Sequence, residues 1–392
     1  MRILHTSDWH LGRSFHREGM LDHQAAFVDH LVEVVAAERV DLVVLAGDVY
    51  DRALPHVDAV RLADEAFARL ASSRARVVVT SGNHDSAQRL GFGSRLIDRA
   101  GVHLRTRADA VATPVLLSDE HGPVAVYGIP YLDPEALREP WGLPARSHQA
   151  VLGEAMSRIR DDLGTRTDGP RVRSVVLAHA FVAGGQSSDS ERDISVGGIS
   201  RVPSRLFEGI DYVALGHLHG AQQLTDEIRY SGSPLAYSFS EADQVKGSWL
   251  VDLDDGGLSA SEFVPAPVPR PLARLRGRLA DLLADPGLAT AEGAWVQVTL
   301  TDDLRPRRAM EQLRGRFPHT LVVGFEPSAA AGPAVPVARR GVRSDHALAL
   351  EFVADLRGVP AGADESALLQ TACDACAHDP EADVLVAVEG EG

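Results

Sequence analysis

The chain has 392 residues, of which 45% are hydrophobic, and its formal net charge is −16 at pH 7. A chain of this length can bury a large core and is expected to contain more than one domain. No stretch approaches the roughly 18 consecutive apolar residues of a membrane span, so a membrane-spanning protein is not expected. The acidic balance argues against a general electrostatic attraction to nucleic acid, although divalent cations bound in an acidic pocket would offset it locally.

The few cysteines and the single lysine exclude a disulfide-based fold and an ATP-binding loop of the P-loop type. Cys373 and Cys376 are the two cysteines, so disulfides do not hold the fold together, and we expect a cytoplasmic protein. They form a single C-x-x-C on a predicted helix, where packing is favoured over a zinc or redox role. Lys246 is the only lysine among 39 basic residues, and no G-x-x-x-x-G-K-[ST] phosphate-binding loop occurs. Any dependence on ATP would therefore come from a partner.

The N-terminal part alternates strand and helix, starting with a strand and no signal-peptide region. Apolar runs predict three strands, and segments with helical apolar spacing separate them. In order, the elements are Ile3–Thr6, Leu21–Glu38, Leu42–Ala46, His56–Ala71 and Val77–Thr80. This alternation is typical of a mainly parallel sheet with helices outside it. Polar residues follow every strand: Asp8 and His10, then Asp48, then Asn83 and His84.

The middle of the chain contains two more strands that end in histidines. His179 follows one of them, and His217 and His219 follow the other. The polar, glycine- and serine-rich segment Gly184–Gly198 is predicted to be a loop beside them. The predicted elements are strands Val111–Leu117 and Val124–Ile129, helix His148–Leu163, and strands Arg173–Ala178, Tyr212–Leu215, Glu227–Tyr230 and Ser248–Leu253.

The C-terminal part divides at a proline-rich segment, Val264–Pro271. A small strand–helix–strand–helix–strand unit follows, and then an alanine- and proline-rich linker and two helices. The predicted organisation is a large α/β domain over residues 1–265, a small α/β domain over 266–328, a linker over 329–341, two helices within 342–380, and an acidic tail over 381–392.

The polar residues at the strand ends predict a metal centre. Each alone is compatible with an ordinary turn, but at the strand ends of one domain they suit two divalent metals that share the Asp48 carboxylate. A set without cysteine disfavours structural zinc and suits Mn²⁺, Fe²⁺ or Zn²⁺. His84 adjoins a ligand and is left free to protonate a leaving oxygen. The seven predicted ligands are Asp8, His10, Asp48, Asn83, His179, His217 and His219.

Six sequence blocks, which cover roughly residues 1–255, make this pattern specific. They resemble the calcineurin-like metallophosphoesterases, and most closely the SbcD branch, the nuclease subunits of bacterial SbcCD complexes. The blocks are His5–Gly12, Ala46–Asp51, Gly82–Asp85, Ile194–Gly198, Leu215–Gly220 and Tyr230–Leu235. The small domain and the terminal helices agree with that branch mainly by their placement.

The resemblance implies a two-sheet sandwich flanked by helices, a small α/β capping domain that contacts DNA, and a C-terminal helix pair. It implies one metal at Asp8, His10, Asp48 and His219, a second at Asp48, Asn83, His179 and His217, and His84 as the catalytic group that contacts the phosphate. Both ions are expected to be Mn²⁺.

The resemblance also implies an activity and partners. These are a 3′-to-5′ double-strand DNA exonuclease and single-strand endonuclease that processes ends and hairpins in DNA repair, replication and recombination. The implied partner is an SbcC-type ATPase, bound by the helices within 342–380. A homodimer is expected through helices near His56–Ala71 and Ser86–Ala100.

Two other functions fit the same metal residues. One is a phosphodiesterase or phosphatase for small substrates, which would need neither the small domain nor the helix pair. The other is a DNA-binding scaffold without catalysis, which would be expected to lack some ligands. Among the remaining polar residues, we expect His5, His23 and His30 to be core or surface histidines. Asp51 is expected to be a turn residue or a support for the ligands rather than a ligand.

Overall fold

The computed structural model describes residues 1–166, 169–195, 201–327 and 344–377. The chain forms two compact units, Met1–Glu326 and Pro327–Gly392. In the described ranges no helix combines the length and apolar character needed to cross a membrane. The predicted linker over 329–341, the acidic tail over 381–392 and residues 196–198 of the predicted loop lie outside the described residues.

The first unit is built on two six-stranded sheets, in each of which four neighbouring strands are parallel and the others antiparallel. The first sheet runs, in spatial order, Gly257–Pro265, Gly247–Asp254, Arg2–Thr6, Leu42–Ala46, Arg76–Thr80 and Val102–Arg105. The second runs Gln222–Gln223, Ile228–Tyr230, Tyr212–Gly216, Arg173–His179, Gly122–Ile129 and Val115–Asp119.

The two sheets pack face to face, which explains why their strands are apolar on both sides. Val44 and Val78 of the first sheet share one buried cluster with Val175 and Leu177 of the second. The strand Leu42–Ala46 is buried along its whole length, as expected of a strand covered on both faces. The predicted two-sheet sandwich is therefore confirmed.

Helices cover the outer faces of the sandwich. Leu21–Ala37 and Val57–Ala71 pack on the first sheet, and His148–Gly164 packs on the second. The shorter elements are the helices Ala87–Leu90, Ser94–Ile97 and Pro134–Leu137, the 3₁₀ segments Asp98–Ala100, Ala108–Ala110, Ser204–Phe207 and Phe239–Glu241, and a two-stranded ribbon of Ser14–Phe15 and Glu18–Gly19.

Two predicted elements differ from the structure, and one long strand of the first sheet was not predicted. The predicted helix over Ser86–Ala100 is wrong, because the chain breaks into short turns around Gly93, whose φ is 72°. The strand predicted over Val111–Leu117 begins later and spans Val115–Asp119. The strand Gly257–Pro265 was not predicted; it pairs antiparallel with Gly247–Asp254, so the proline-rich boundary begins inside the sheet.

A small parallel sheet completes the first unit, in the predicted order of elements. Its strands are Leu272–Gly277, Trp295–Leu300 and Thr320–Phe325, and its helical segments are Leu279–Ala284, Pro286–Gly293 and Ala309–Arg316. It has its own core, which includes Val298 and Phe317. The Trp295 ring also lies 5.2 Å from the Phe15 ring and shares a cluster with Phe239. This contact attaches the small sheet to the sandwich; a domain boundary near residue 265 stays a prediction.

The second unit contains two helices, Asp345–Arg357 and Ala363–Ala377. Ser344 caps the first helix by accepting a hydrogen bond from the Ala347 N–H, and Gly358 ends it in the left-handed conformation. The Arg357 guanidinium lies 2.7 Å from the Glu365 carboxylate, which ties the two helices together. Cys373 is a free, partly buried thiol on the second helix.

Candidate metal centre

Five parallel strands bring their carboxyl ends to one edge of the sandwich, where the two sheets meet. The loops that follow the first two strands are joined by backbone hydrogen bonds. Asp8 N–H donates to the Gly47 carbonyl oxygen at 3.1 Å, and His10 N–H donates to the Asp48 carbonyl oxygen at 3.0 Å. Side chains at the carboxyl ends of parallel strands converge, and these bonds fix two of the loops relative to each other.

The backbone at this edge is strained at four predicted ligands. Asp8, His10, Asp48 and His217 have positive φ angles, of 53°, 45°, 50° and 103°. Such conformations cost about 1–3 kcal/mol per non-glycine residue and persist only where the surrounding structure imposes them. Their concentration at one cluster is typical of a functional site.

The first group of candidate ligands contains Asp8, His10 and His219, whose ligand atoms all lie within 4.8 Å of one another. His10 Nε2 and His219 Nε2 are 3.0 Å apart. The Asp8 carboxylate accepts the His217 backbone N–H at 3.0 Å from Oδ1 and 3.1 Å from Oδ2. All three side chains are buried, so their orientation is set by the fold.

Asp48 lies between this group and the remaining ligands. Its Oδ2 is 3.7 Å from His10 Nε2 and 3.4 Å from His179 Nε2. Two groups that could hold an ion include it, one with His10 and His84, the other with Asp8 and His179. This is the position that a carboxylate shared by two metals requires.

Asn83, His179 and His217 form the second group. Asn83 Oδ1 is 2.9 Å from His179 Nε2 and 3.2 Å from His217 Nδ1. His179 Nδ1 lies 3.0 Å from the Ala46 carbonyl oxygen. Because a carbonyl only accepts, Nδ1 carries the proton there, and Nε2 is the nitrogen available to a metal.

His84 lies beside Asp48, and a backbone carbonyl oxygen orients its ring. Its backbone N–H donates to Asp48 Oδ1 at 2.8 Å, and its Nδ1 is 2.8 Å from the Asp51 carbonyl oxygen. Nδ1 is therefore the protonated nitrogen, and Nε2 is free to meet a bound group. The Asp51 carboxylate is 3.8 Å from His10 Nδ1, which agrees with the supporting role predicted for it.

Asp85, the last residue of the Gly82–Asp85 block, ties two ligand loops together. Its carboxylate accepts backbone N–H bonds from Val49 at 3.1 Å, Tyr50 at 2.9 Å and Gly82 at 3.0 Å. Burial and the nearby charge of Asp48 raise the pKa of Asp85 to about 7, while the three donors lower it. No role for this residue was predicted from the sequence.

Burial and mutual interaction shift the pKa values of the candidate ligands. Burial raises the pKa of Asp8 to about 6, and it lowers that of His10 well below the usual range. Burial opposes ionisation of Asp48, but the His179 imidazole holds the pKa of that carboxyl well below its ordinary value. Burial lowers the pKa of His179, and Asp48 outweighs this and raises it to about 9.

The donor set fits divalent metal ions. Carboxylate and amide oxygens and imidazole nitrogens converge within ligand reach, and imidazoles face each other without an intervening donor group. Divalent charge would also balance the buried carboxylates Asp8 and Asp48. All seven predicted ligands and His84 lie in this one cluster, so the predicted convergence holds; which residue binds which ion stays a prediction.

The described part of the predicted loop borders the centre. A cavity of about 210 Å³ lies there, lined by Phe181, Arg192, Ile194 and His217, among others. The Arg192 guanidinium is 3.5 Å from the Asn83 carbonyl oxygen. An aromatic ring and a guanidinium beside the metal ligands suit a substrate that has both a phosphate and an apolar face. No motif in the sequence indicated Arg192.

Two side chains that support His219 were also missed. Glu191 Oε1 accepts the His219 backbone N–H at 2.7 Å, and Lys246 Nζ donates to the His219 carbonyl oxygen at 2.7 Å. Glu191 gives no signal in the sequence. Lys246 gives one, since it is the only lysine in an arginine-rich chain. His5, in contrast, is a core histidine as predicted, bonded to the Tyr212 hydroxyl at 2.8 Å.

The fold and the centre together define a metal-dependent phosphoesterase. A family model described as calcineurin-like phosphoesterase matches residues 1–221, more than half of the chain, and the chain belongs to that family. A second model, SbcD_C, described as a type 5 capsule protein repressor C-terminal domain, matches residues 268–338.

Solved structures similar to this chain include three from different organisms. The protein TT1561 of Thermus thermophilus is 14% identical, with 67% of this chain and 98% of that chain covered and a TM-score of 0.37. A dimetal phosphatase from Danio rerio is 13% identical, with 68% and 99% covered and a TM-score of 0.43. GAP50, the anchor in the inner membrane complex of Plasmodium, is 12% identical, with 84% and 98% covered and a TM-score of 0.39.

Proposed function

We propose that the protein is a Mn²⁺-dependent DNA nuclease subunit of the SbcD type. Its activities would be 3′-to-5′ exonuclease on double strands and endonuclease on single strands, in concert with an SbcC-type ATPase. The observation that carries the proposal is the position of Asp48 in two adjacent groups of candidate ligands. The SbcD_C match over residues 268–338 favours this branch of the family.

The proposed metal roles are those that the family resemblance implies, and the clustering of the candidate ligands supports them. Asp8, His10, Asp48 and His219 would hold one ion, and Asp48, Asn83, His179 and His217 would hold the other. When bound, two such ions polarise a phosphoryl group, lower the pKa of a water and steady the leaving oxygen. The strained backbone and the buried hydrogen bonds hold the ligands in place before the metals arrive.

His84 is the proposed catalytic group that contacts the phosphate. Its Nδ1 proton is directed at the Asp51 carbonyl oxygen, so Nε2 faces away from that anchor. Burial lowers the pKa of His84, so the ring is mainly neutral at neutral pH. To act as an acid, the ring must first take up a second proton, at Nε2, and the negative charge of a bound phosphate favours this. It would then donate the Nε2 proton to the leaving oxygen.

The small sheet is the proposed DNA-contacting element. The whole chain is strongly acidic, but residues 266–327 contain nine arginines and seven acidic residues. Arg305, Arg307 and Arg308 lie exposed on the segment before helix Ala309–Arg316. Arginine forms bidentate bonds with phosphate, so this part of the chain is better suited to a nucleic-acid backbone than the rest.

A nuclease assay tests the proposal directly. Purified protein with Mn²⁺ should shorten a duplex from its 3′ ends and cut a single-stranded hairpin loop, and it should do neither with EDTA. The Asp48→Ala variant is the control for a contaminating nuclease. Turnover of bis(p-nitrophenyl) phosphate or a cyclic nucleotide with no cleavage of DNA would overturn the nuclease assignment and favour a small-substrate phosphodiesterase.

Two protein contacts belong to the same proposal. One is a homodimer through the apolar surface near helix Val57–Ala71, and the other is the SbcC-type ATPase, bound by helices Asp345–Arg357 and Ala363–Ala377. Both contacts are supported by exposed apolar side chains on or near these elements, which include Val57, Phe92, Phe352 and Leu356. Because its substrate would be DNA, such a complex would be cytoplasmic.

A further inference from the structure

Behind His219, three buried side chains form a chain of hydrogen bonds that leads away from the metal centre. Ser190 Oγ lies 2.5 Å from His219 Nδ1 and also bonds to Glu241 Oε1. Glu241 Oε2 lies 2.5 Å from Lys246 Nζ. Ser190, Glu241 and Lys246 are all buried; Glu241 and Lys246 lie five residues apart, and Ser190 comes from a separate loop.

The direction of each hydrogen bond follows from the lysine. An ammonium group can only donate, so Glu241 accepts at Oε2, and as an ionised carboxylate it also accepts at Oε1. The single hydroxyl proton of Ser190 is therefore given to Glu241. Ser190 Oγ then has only lone pairs left for His219, so Nδ1 of His219 must carry the ring proton. Nε2 is left with its lone pair, and it is Nε2 that lies 3.0 Å from His10 Nε2.

We propose that Ser190, Glu241 and Lys246 are positioning residues that hold His219 in the one tautomer able to bind a metal. The inference rests on the metal-binding role proposed for His219. Partners of this kind, which fix the tautomer of a ligating histidine, typically change metal affinity about 10–100-fold when removed. Lys246 also fixes the ligand's backbone through the His219 carbonyl oxygen, so it acts at both ends of the residue.

Lys246 is the only lysine of an arginine-rich chain, which indicates that its position requires a lysine. Every other basic side chain outside histidine is an arginine, so the retained lysine calls for a physical reason. Lys246 Nζ lies within hydrogen-bond distance of four separate groups: the His219 carbonyl, Ser233 Oγ at 3.1 Å, Gln244 Oε1 at 2.8 Å and Glu241. A compact ammonium fits such an arrangement, whereas a planar guanidinium does not.

The variant Glu241→Gln tests the direction of the bonds with almost no change in shape. Lys246 can only donate, so it forces the amide oxygen of the new side chain toward itself and the amide N–H₂ toward Ser190. The serine then accepts from that amide, and its own proton is released to either His219 Nδ1 or Ser188 Oγ, which lies 3.0 Å away. Donation to His219 Nδ1 moves the ring proton to Nε2. We expect one of the two Mn²⁺ ions to bind about 10–100-fold more weakly in calorimetry, with the other little changed.

A second measurement reads the tautomer without any metal. Long-range ¹H–¹⁵N NMR of the metal-free protein distinguishes the two imidazole nitrogens, with His219→Gln used to assign the signal. The wild type should show Nδ1–H for His219, and Glu241→Gln should show Nε2–H. A purely structural role for Glu241 would not move this signal, and wild-type tautomer and Mn²⁺ affinity in Glu241→Gln would overturn the proposal.

Two further variants keep the test decisive if Glu241→Gln fails to fold. Ser190→Ala should weaken Mn²⁺ binding, and Ser190→Thr, which retains the hydroxyl, should restore it; equal affinities in the two would overturn the proposal. Asp119→Asn is the matched control, since it breaks a buried ion pair with Arg173 away from the centre and should leave Mn²⁺ affinity unchanged. A wild type that binds Mn²⁺ but does not cut DNA would contradict the nuclease proposal alone.

Discussion

The backbone N–H of His84 donates a 2.8 Å hydrogen bond to Oδ1 of Asp48, the carboxylate that lies between the two groups of candidate ligands. On the His84 side this bond uses only the main-chain N–H, so it survives any substitution of His84 except proline. The imidazole is therefore separable from the anchoring of Asp48, and its contribution to the reaction can be measured with the metal centre intact.

We expect His84→Ala to keep both Mn²⁺ ions and to lose most of the nuclease activity. A general acid–base group contributes typically about 10²–10⁴-fold to the rate, and the loss should fall in this range. Calorimetry would measure metal binding, and a duplex-shortening assay would measure the rate. Asp48→Ala is the contrasting variant, because it removes a ligand from both ions and should abolish binding and activity together. Near wild-type cleavage by His84→Ala would contradict the catalytic assignment.

Gly47, which precedes Asp48, has no room for a side chain. Its φ is 86°, and a Cβ there would overlap the ring of His179. We expect Gly47→Ala to displace His179, to weaken Mn²⁺ binding at least about 10-fold and to lower activity with it.

Gly209 offers a matched control for this effect. Its φ is 85°, but a Cβ would meet nothing within 4 Å. Both alanine variants carry the cost of a left-handed residue, about 1–2 kcal/mol, so both should unfold at lower temperature. Only Gly47→Ala should lose metal affinity. If Gly209→Ala lost it equally, the effect would come from backbone strain rather than from the contact with His179.

Much of the centre could be predicted because its ligands directly follow apolar strands. The strand Leu42–Ala46 is buried throughout, and Asp48 comes two residues after it. Parallel strands bring such residues to one edge whatever the details of packing. The predicted helix over Ser86–Ala100 failed for the opposite reason, since its apolar residues suit a helix but glycines interrupt it locally.

The support of His219 could not be predicted in the same way. Ser190 and Glu241 are far from His219 in sequence and lie in segments without regular periodicity. Only the packing of the segment before strand Gly247–Asp254 against the loop that contains Ser190 brings them together. A sequence pattern reports local periodicity, and it does not report contacts between irregular segments.

Mn²⁺ affinity should rise with pH. His179 has a pKa raised to about 9 in the metal-free protein, because Asp48 outweighs the effect of burial, so it is protonated at pH 7. A metal must displace that proton, so binding tightens by about tenfold per pH unit for each proton released, until the pH passes about 9. Calorimetry in buffers of different ionisation enthalpy would count the protons.

The variant His179→Gln isolates this contribution. It removes the titrating ring, so it should release about one proton fewer than the wild type at pH 7.5 and should show a shallower pH dependence. Asp8, whose pKa is raised to about 6, adds a proton only at more acidic pH. Binding by the wild type that did not change between pH 7 and 9 would contradict the protonated state of His179.

The proposed dimer surface combines two neighbouring segments. Arg89 Nη1 bonds to the Ala53 carbonyl oxygen at 2.9 Å, which joins the short helix Ala87–Leu90 to the loop before helix Val57–Ala71. Around this junction Leu54, Phe92 and Leu96 are 72%, 85% and 73% exposed. Apolar side chains so exposed and so close together are typical of an interaction surface.

We expect the double variant Phe92→Glu and Leu96→Glu to be a monomer under conditions in which the wild type is a dimer. Light scattering at micromolar concentration would measure the mass of each. Leu116→Glu is the control, since Leu116 is also exposed but lies on the strand Val115–Asp119 of the second sheet. A wild type that is already monomeric would reject the dimer, and a monomeric Leu116→Glu variant would place the contact elsewhere.

The helix pair Asp345–Arg357 and Ala363–Ala377 is the proposed binding site for the ATPase. Leu348, Phe352 and Leu356 follow one another at helical spacing on the first helix, and Phe352 and Leu356 are 64% and 66% exposed. The Arg357–Glu365 ion pair joins the two short helices, and the first helix has no buried residue. An amphipathic helix of this kind gains stability when its apolar face lies along another helix.

A chain that ends at residue 343 should therefore cleave DNA with Mn²⁺ but fail to co-purify with an SbcC-type ATPase. The double variant Phe352→Glu and Leu356→Glu should separate the two proteins in the same way, because it places charge on the contact face without shortening the chain. Asp364→Lys is the control, since it changes charge at an exposed position in the first turn of the second helix, and it should still co-purify. Binding of the ATPase by the shortened chain at wild-type strength would place the docking site outside the two helices.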